Sequence, residues 1–263
     1  MIHPSALVSP SACIADDVEV GPFAIIEDDV EIGAGSRIAP HAQVLRGVRM
    51  GAGNTVDRGA VIGGDPQSLG FDRTIASGVS IGDGNTFREH VTIHRSTQPG
   101  GRTVIGHHNF LMAGAHVGHD SVLGDNNVCA NLVLIAGHVT IGSRCFLGGG
   151  AGFHQFIRIG DAAMIQGNSA ISQDIPPYCL ASGRNSLDGL NVIGLRRAGF
   201  DNAARLEIKH AWNAAFKSSA GPVKGAAIAL DSSTWSENAQ VLLRFIAAGG
   251  RKGIACPPGR HRD

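Results

Sequence analysis

The sequence has no run of about 18 apolar residues, the minimum for a membrane-spanning helix, so no span is expected. It has no net charge. Lys+Arg and Asp+Glu both number 22, which removes any global pull toward nucleic acid or an anionic surface. It has no Cys-x-x-Cys pair. Its five cysteines, Cys13, Cys129, Cys145, Cys179 and Cys256, are odd in number and scattered, which argues against a disulfide framework or a cysteine-based zinc site. Aromatics are few, at 5%. No basic segment followed by an apolar stretch opens the chain, so a soluble, cytoplasmic protein of a reducing compartment is expected.

Glycine is abundant instead, with 37 residues, and the apolar residues keep a period of six. Stepping from Ile2 gives Val8, Ile14, Val20, Ile26, Ile32, Ile38, Val44, Met50, Val56 and Ile62 without a miss. The count resumes one residue out of phase at Ile81, Phe87 and Ile93, and runs from Ile105 through Cys129 and Ile135 to Ile171. Six suits neither a helix, at 3.6, nor an ordinary half-buried strand, at 2. It is the period of a hexapeptide β-solenoid, in which each hexad forms one flat side of a coil and its aliphatic residue points to the axis. Stacked coils then build a continuous apolar column. Cys129 lies on that column, which predicts a buried thiol.

Two stretches break the period. Residues 63–80 shift the phase and residues 94–104 contain Gln98-Pro-Gly-Gly, so both are expected to leave the coil as loops and wall a cleft. The solenoid, residues 1–178, is expected to end at Asp174-Ile-Pro-Pro-Tyr178, where two prolines oppose further pairing. Residues 179–263 read as a helical cap. One helix runs from an Asp201 N-cap to about Ser218, a second covers Val223–Leu230, and a third carries Val241, Leu242, Phe245 and Ile246 and stops at Gly249-Gly250. The tail 251–263 reads as frayed.

Histidines gather in the second half of the solenoid: His90, His94, His107, His108, His116, His119, His138 and His154. Coils of about 18 residues would bring His119, His138 and His154 into an approximate file. His119-Asp120 is the sharpest local element. A carboxylate beside an imidazole orients the ring and stabilises its protonated form, as general-base catalysis requires. Neighbours on a strand point to opposite faces, so contact between the two needs a bend or a backbone route. His116 and His119 with a third histidine from another coil or subunit would instead make a zinc site, as in the γ-class carbonic anhydrases, although the spacing differs from that family.

Several stretches taken together resemble the bacterial acyl-[acyl-carrier-protein]–UDP-N-acetylglucosamine O-acyltransferases of lipid A biosynthesis. They are Gly63-Gly-Asp-Pro-Gln67, Arg88-Glu-His-Val-Thr-Ile-His-Arg95, Ala115-His-Val-Gly-His-Asp120, Phe153-His-Gln-Phe156, Gln173-Asp-Ile-Pro-Pro-Tyr178 and Asn191-Val-Ile-Gly-Leu-Arg-Arg197. The resemblance implies a left-handed parallel β-helix with a C-terminal α-helical cap, assembled as a homotrimer. It implies transfer of an (R)-3-hydroxyacyl chain from the phosphopantetheine of acyl carrier protein to the 3-OH of a UDP-amino sugar, with no other cofactor and no metal. It implies His119 as the base and Asp120 as its partner, and Gly137 as the oxyanion donor. Gln67, His116, His138, His154, Gln155, Asn191 and Arg197 would bind substrates, and Gly167 would bound the acyl pocket. The sequence departs from the family pattern at Ser68 and Gly70, where relatives carry Asp and Lys, and at Ile193 and Ala198, where they carry Glu and Arg. Transfer to a 3-amino sugar and a non-enzymatic binding trimer therefore stand as alternative readings.

Overall fold

The computed structural model describes residues 1–232 and 234–259. Two-residue strands recur at the hexad spacing and build sheets of nine, eight and ten strands, in each of which the neighbouring coils supply every third strand. The three sheets are the three sides of one coil stack. Pairing along the solenoid is parallel and puts column residues over each other: Val44 on Ile62, Ile62 on Ile93, Val117 on Ile135, Ile135 on Phe153 and Phe153 on Ile171. All of these are buried. Each such side chain contributes roughly 1.5–3 kcal/mol by leaving water. Ile2 is exposed and Val8 and Ile14 half-buried, because the first coil has a neighbour on one side only. Cys129 is buried in the column as expected, and burial, with the Cys145 thiol close by, pushes its own thiol up to about 12.

A second stack, of polar groups, lies inside the fold. Asn54, Asn85, Asn109 and Asn127 are all buried. The Asn54 side-chain oxygen accepts the Asn85 N–H at 2.9 Å, that of Asn85 accepts the Asn109 N–H at 2.8 Å, and that of Asn109 accepts the Asn127 N–H at 2.8 Å. Asn127 passes the chain on to the Cys145 N–H at 2.8 Å. The amide nitrogens of Asn54, Asn85 and Asn127 donate to corner carbonyls, as Asn85 does to Gly106 at 3.0 Å, and that of Asn109 donates to the Asn85 side-chain oxygen. A corner leaves backbone groups without a sheet partner, and this ladder satisfies them where water cannot reach.

The ladder also measures the insertions. Asn109 and Asn127 are separated by 18 residues, Asn85 and Asn109 by 24, and Asn54 and Asn85 by 31. The surplus leaves as loops 65–77 and 95–101, shorter than the breaks in periodicity because Val61–Gly64, Gly78–Ile81, Thr92–His94 and Arg102–Ile105 remain paired. Arg95 gathers the first loop. Its guanidinium bonds Asp65 at 3.0 Å, the Arg73 carbonyl at 3.0 Å and the Ser77 hydroxyl at 3.1 Å, and packs on the Phe71 ring.

Pairing does not stop at the prolines. In that segment the coil needs N–H donors from Ile175, to the Arg158 carbonyl, and from Tyr178, to the Asp161 carbonyl. Pro176 and Pro177 fall between them, where no donor is required. Cys179–Ser182 then pairs in parallel with Met164–Ile165 and turns back as an antiparallel hairpin with Ser186–Leu190, so the last coil runs past residue 178. Among the described residues four helices follow: α1, Val192–Arg197; α2, Asn202–Phe216; α3, Pro222–Ser232; and α4, Glu237–Ala247. The Asp201 carboxylate accepts the Ala204 N–H at 2.8 Å, the expected N-cap. Helices α2, α3 and α4 pack on one another. The tail is tied down over its described part: Ile254 bridges Asp174, Cys256 bridges Ser186, and Ile254 and Ala255 are buried. Residues 260–263 of the expected frayed tail lie outside the described residues.

Replacing Asn85 by Ala strands the buried Asn109 N–H. Asn85→Ala should lower unfolding free energy by about 1–3 kcal/mol, read as a lower denaturant midpoint at unchanged slope. A midpoint equal to the parent's would mean that the ladder adds nothing.

Candidate active site

His119 and Asp120 meet because Asp120 occupies a corner. Its φ of 61° turns the chain, so its side chain does not point away from that of His119 as it would on a strand. Asp120 Oδ2 lies 2.8 Å from His119 Nδ1. Both side chains are largely buried. Loop 95–101 supplies the remaining partners. The Ser96 hydroxyl donates to Asp120 Oδ1, and the Thr97 N–H and hydroxyl donate to Oδ2 at 3.2 and 2.7 Å. Burial would raise the Asp120 carboxyl, but the bonds from Ser96, His119 and Thr97 outweigh it and hold it at about 2. The anion selects the tautomer in which Nδ1 carries the proton and donates, which leaves Nε2 as the acceptor of the neutral ring.

Gly137 leaves room at that nitrogen. A Cβ there would stand 2.6 Å from His119 Cε1 and 2.7 Å from Nε2. Among the described residues the Gly137 N–H has no acceptor. A basic nitrogen and an open N–H donor thus lie side by side, the pairing that proton abstraction and oxyanion stabilisation need.

His138 stands edge-on to His119, with ring centroids 5.1 Å apart, and its Nε2 is 3.7 Å from Asp120 Oδ2. His116 accepts or donates to the Thr92 hydroxyl at 2.8 Å through Nδ1 and meets His94 edge-on at 4.7 Å. Burial, reinforced by neighbouring imidazoles, lowers the pKa of His94, to about 4, and that of His116. It also leads the lowering at His138, where Asp120 opposes and His119 and Arg251 assist. These rings are neutral at pH 7. His119, Asp120 and His138 offer three ligand-type atoms within 4.8 Å of one another. Asp120 Oδ2 already accepts from Thr97 twice and lies against His119 Nδ1, and Oδ1 accepts from Ser96, so most of its acceptor capacity is used within the chain. The arrangement suits an oriented base better than a metal centre.

A cleft of about 810 Å³ adjoins this group. Its lining includes Gln67, Thr92, His116, His154, Gln155 and Arg184. His119 and His138 do not line it themselves. It reaches them through His116 and through Ala136, which precedes Gly137. A larger cavity, of about 960 Å³, lies under loop 65–77 against the first coils, but its Arg46, Arg73 and Arg95 are already paired with Asp28 and Asp65 and it holds no histidine. The smaller cleft is the chemically equipped one.

The file of histidines departs from expectation. One coil below His138 lies Phe156, stacked on it at 4.7 Å and 11°, while His154 faces the cleft. His107 and His108 sit together at another corner, and His90 lies against Gly59. Gly167 is exposed at a corner beside Gly149 and does not line the cleft. Asn191 N-caps α1, accepting the Gly194 N–H at 3.0 Å and donating to the Ala162 carbonyl at 3.1 Å. Arg197 is exposed at the end of α1. Neither residue is brought to the cleft within one chain. Sequence reasoning missed Ser96, Thr97 and Phe156. Phe156 was within reach, because it stands 18 residues after His138 and Asp120 stands 18 before it.

Known proteins agree with this picture. A profile described as "Udp N-acetylglucosamine O-acyltransferase; Domain 2" matches residues 174–255, and one described as "Bacterial transferase hexapeptide (six repeats)" matches residues 11–46. The chain is 39% identical over 258 residues to the acyl-[acyl-carrier-protein]–UDP-N-acetylglucosamine O-acyltransferase of Sinorhizobium fredii, covering 97% of this chain and 95% of that one. It is 45% identical over 256 residues to the protein of the same name from Burkholderia orbicola, covering 97% and 92%. Among solved structures, the UDP-N-acetylglucosamine acyltransferase of Francisella novicida superposes with a TM-score of 0.94 at 32% identity, covering 98% and 95%. That of Bacteroides fragilis gives 0.91 at 38% identity, covering 97% and 99%. Fold and site together define a left-handed β-helix transferase of the hexapeptide-repeat class with C-terminal helices. The chain belongs to the family of acyl-[acyl-carrier-protein]–UDP-N-acetylglucosamine O-acyltransferases.

Gly137→Ala would drive a methyl group into the His119 ring. Displacing the ring by about 1 Å should cost on the order of 10² in turnover while the fold survives. Circular dichroism and steady-state kinetics on one preparation check this; a fully active, folded variant would show that the space over Gly137 is not used.

Proposed function

We propose that the chain transfers an acyl group from the phosphopantetheine thioester of acyl carrier protein to the 3-OH of UDP-N-acetylglucosamine, the first step of lipid A biosynthesis. One observation carries the mechanism: His119 Nδ1 is tied to the ionised Asp120, so Nε2 faces the space over Gly137 as a free base. Nε2 takes the hydroxyl proton as the sugar oxygen attacks the thioester carbon. The tetrahedral oxyanion forms against the Gly137 N–H. On collapse the C–S bond breaks, and the proton passes from His119 to the departing thiolate. No acyl-enzyme is formed and no cofactor beyond the carrier's own arm takes part. Holding thioester and hydroxyl together in the cleft supplies a further large share of the rate.

In this reading Gln67, His116, His138, His154 and Gln155 bind the two substrates, and Gly167, exposed outside the cleft of one chain, limits the acyl chain where a neighbouring copy covers it. The protein works as a homotrimer. Val122, Leu132, Leu134 and Phe146, exposed on a single chain, support association through the solenoid faces. A neighbouring copy would also bring in Asn191 and Arg197, which one chain keeps apart from its own cleft.

His119→Ala should cut acyl transfer by roughly 10²–10⁴ and leave the protein folded. Mass spectrometry of UDP-N-acetylglucosamine with a set of acyl carrier protein thioesters is the direct assay. Product from the parent and near-normal product from folded His119→Ala would remove His119 from the role; no product from the parent with any donor would overturn the function.

A specific observation favours testing the 3-amino sugar beside the 3-OH. Ser68 and Gly70 stand where the family carries a carboxylate and an ammonium, and the loop tip between them is bare, with Leu69 fully exposed and nothing within 4 Å of a Cβ at Gly70. Gly70 has a φ of 78°, where any side chain is strained, so Ser68 is the cleaner position to alter. Hydrogen bonds to charged groups are worth about 1.5–3 kcal/mol, so Ser68→Asp should raise kcat/KM for UDP-N-acetylglucosamine about tenfold. No gain, with efficient acylation of the 3-amino analogue by the parent, would assign the loop to the amino acceptor.

A further inference from the structure

Two side chains outside the acid–base group bear directly on it. Phe156 lies flat against His138, with ring centroids 4.7 Å apart and planes within 11°. On Phe156 sits the guanidinium of Arg251, its central carbon 4.3 Å from the ring centroid. Arg251, Phe156, His138 and His119 therefore form a continuous stack from the C-terminal segment to the proposed base.

The segment carrying Arg251 is fixed independently of that stack. Asp174 is fully buried and takes the Arg158 guanidinium at 2.7 Å. Arg158 also donates to the Gly249 carbonyl and lies over the Phe245 ring of α4 at 4.4 Å. The Asp174 N–H donates to the Gly253 carbonyl, and the Ala255 N–H to the Asp174 carbonyl, both at 2.9 Å. A Cβ at Gly250 would stand 1.9 Å from Asp174 Oδ2, so only glycine passes over that carboxylate. An ion pair on a buried carboxylate, two backbone bonds and a close approach set residues 249–255 like a strap, and Arg251 is delivered to Phe156 as a consequence.

We propose that Arg251 and Phe156 are positioning residues, through which the C-terminal strap holds the His138 ring edge-on to His119 and beside Asp120. The proposal deepens the acyl-transfer reading and rests on it for the role of His119. Flat stacking fixes the second side-chain torsion of His138, which its corner backbone, at φ 60°, leaves free. The cation behind the aromatic ring opposes a second positive charge on His138. Burial is the main cause of the lowered His138 pKa, the Asp120 carboxylate opposes it, and His119 and Arg251 add to it. Among the described residues those three are the charged or titratable groups that act on His138. A neutral His138 accepts or donates a hydrogen bond without competing with His119 for the Asp120 charge.

The test uses the full-length protein with Arg251→Gln, Arg251→Lys and Phe156→Leu. His138 is titrated by NMR, and kcat/KM is followed against pH with acyl carrier protein thioester and UDP-N-acetylglucosamine. Removing a cation that acts across one ring should raise the His138 pKa by about half a unit in Arg251→Gln and move the acid limb of kcat/KM up by a similar step. Arg251→Lys keeps a cation over the ring and should restore most of the parent profile. Phe156→Leu should abolish the ring-current shift of His138 and lower kcat roughly tenfold or more, with a smaller change in KM. A purely structural strap would lower stability in all three variants alike and move neither the titration nor the limb. The proposal is overturned if Arg251→Gln titrates His138 as the parent does and its pH profile superimposes on the parent's. If the parent itself transfers no acyl group, the function fails, while the His138 titration still decides whether the strap acts on that ring.

Discussion

The structure depends on one constraint: each coil must hydrogen-bond to the next in constant register. Leu7 donates to Ala24, Glu19 to Ser36, and the pattern continues through Gly152 and Ser169. A solenoid has no other long-range tie, so a one-residue slip would move the aliphatic column off the axis and break the asparagine ladder at once. Added residues therefore cannot be absorbed in the wall and must leave it. Within the described solenoid the two largest departures are loops 65–77 and 95–101, and both end at the site. Loop 95–101 brings Ser96 and Thr97 to Asp120, and loop 65–77 brings Gln67 to the cleft.

The same register turns corners into columns of function. Asp120, His138 and Phe156 occupy equivalent corners, with φ of 61°, 60° and 67°. The left-handed backbone there costs energy for a residue with a side chain, and the stacked coils on either side hold it in place. At Asp120 the bend turns its carboxylate toward its own neighbour, His119, which a flat strand would forbid. At His138 it sets an imidazole between that carboxylate and an aromatic face. Electrostatics follow from position: one carboxylate rich in donors stays ionised, and burial, full at His94 and partial at His116 and His138, keeps the imidazoles around it neutral.

What could be read in advance was whatever repeats. The sixfold period located the column from Val20 to Ile171, and the phase shifts located both loops. His119 and Asp120 were legible as a pair because they adjoin. Features that depend on partners far apart in sequence were not. Ser96 reaches Asp120 across one coil and an insertion, and Asn54, Asn85 and Asn109 are spaced by 31 and 24 residues, which hides the ladder's period. The prolines misled because their meaning depends on which N–H groups a coil needs, and that is set by the coil beneath. The tail read as frayed from its composition, whereas the order of its described part comes from Asp174 and Arg158, some ninety residues earlier in the case of Arg158.

These differences in constraint set the proposed base apart from the loop proposed to meet the acceptor. His119, Asp120 and Gly137 are locked by register, by loop 95–101 and by a contact that admits only hydrogen at Gly137. A change at any of them disturbs the others. Loop 65–77 is held by Arg95, through Asp65, the Arg73 carbonyl and the Phe71 ring, while Leu69 is fully exposed and a Cβ at Gly70 would meet nothing within 4 Å. Substitution at Leu69 or Ser68 therefore disturbs little of the fold, whereas a side chain at Gly137 meets the His119 ring. The C-terminal strap belongs with the constrained half. It is anchored on a buried carboxylate of the last coils, and through Phe156 it ends on the ring beside the base. Its helices thus do more than close the stack: the position of α4 and the strap is bound to the geometry of the His138 ring.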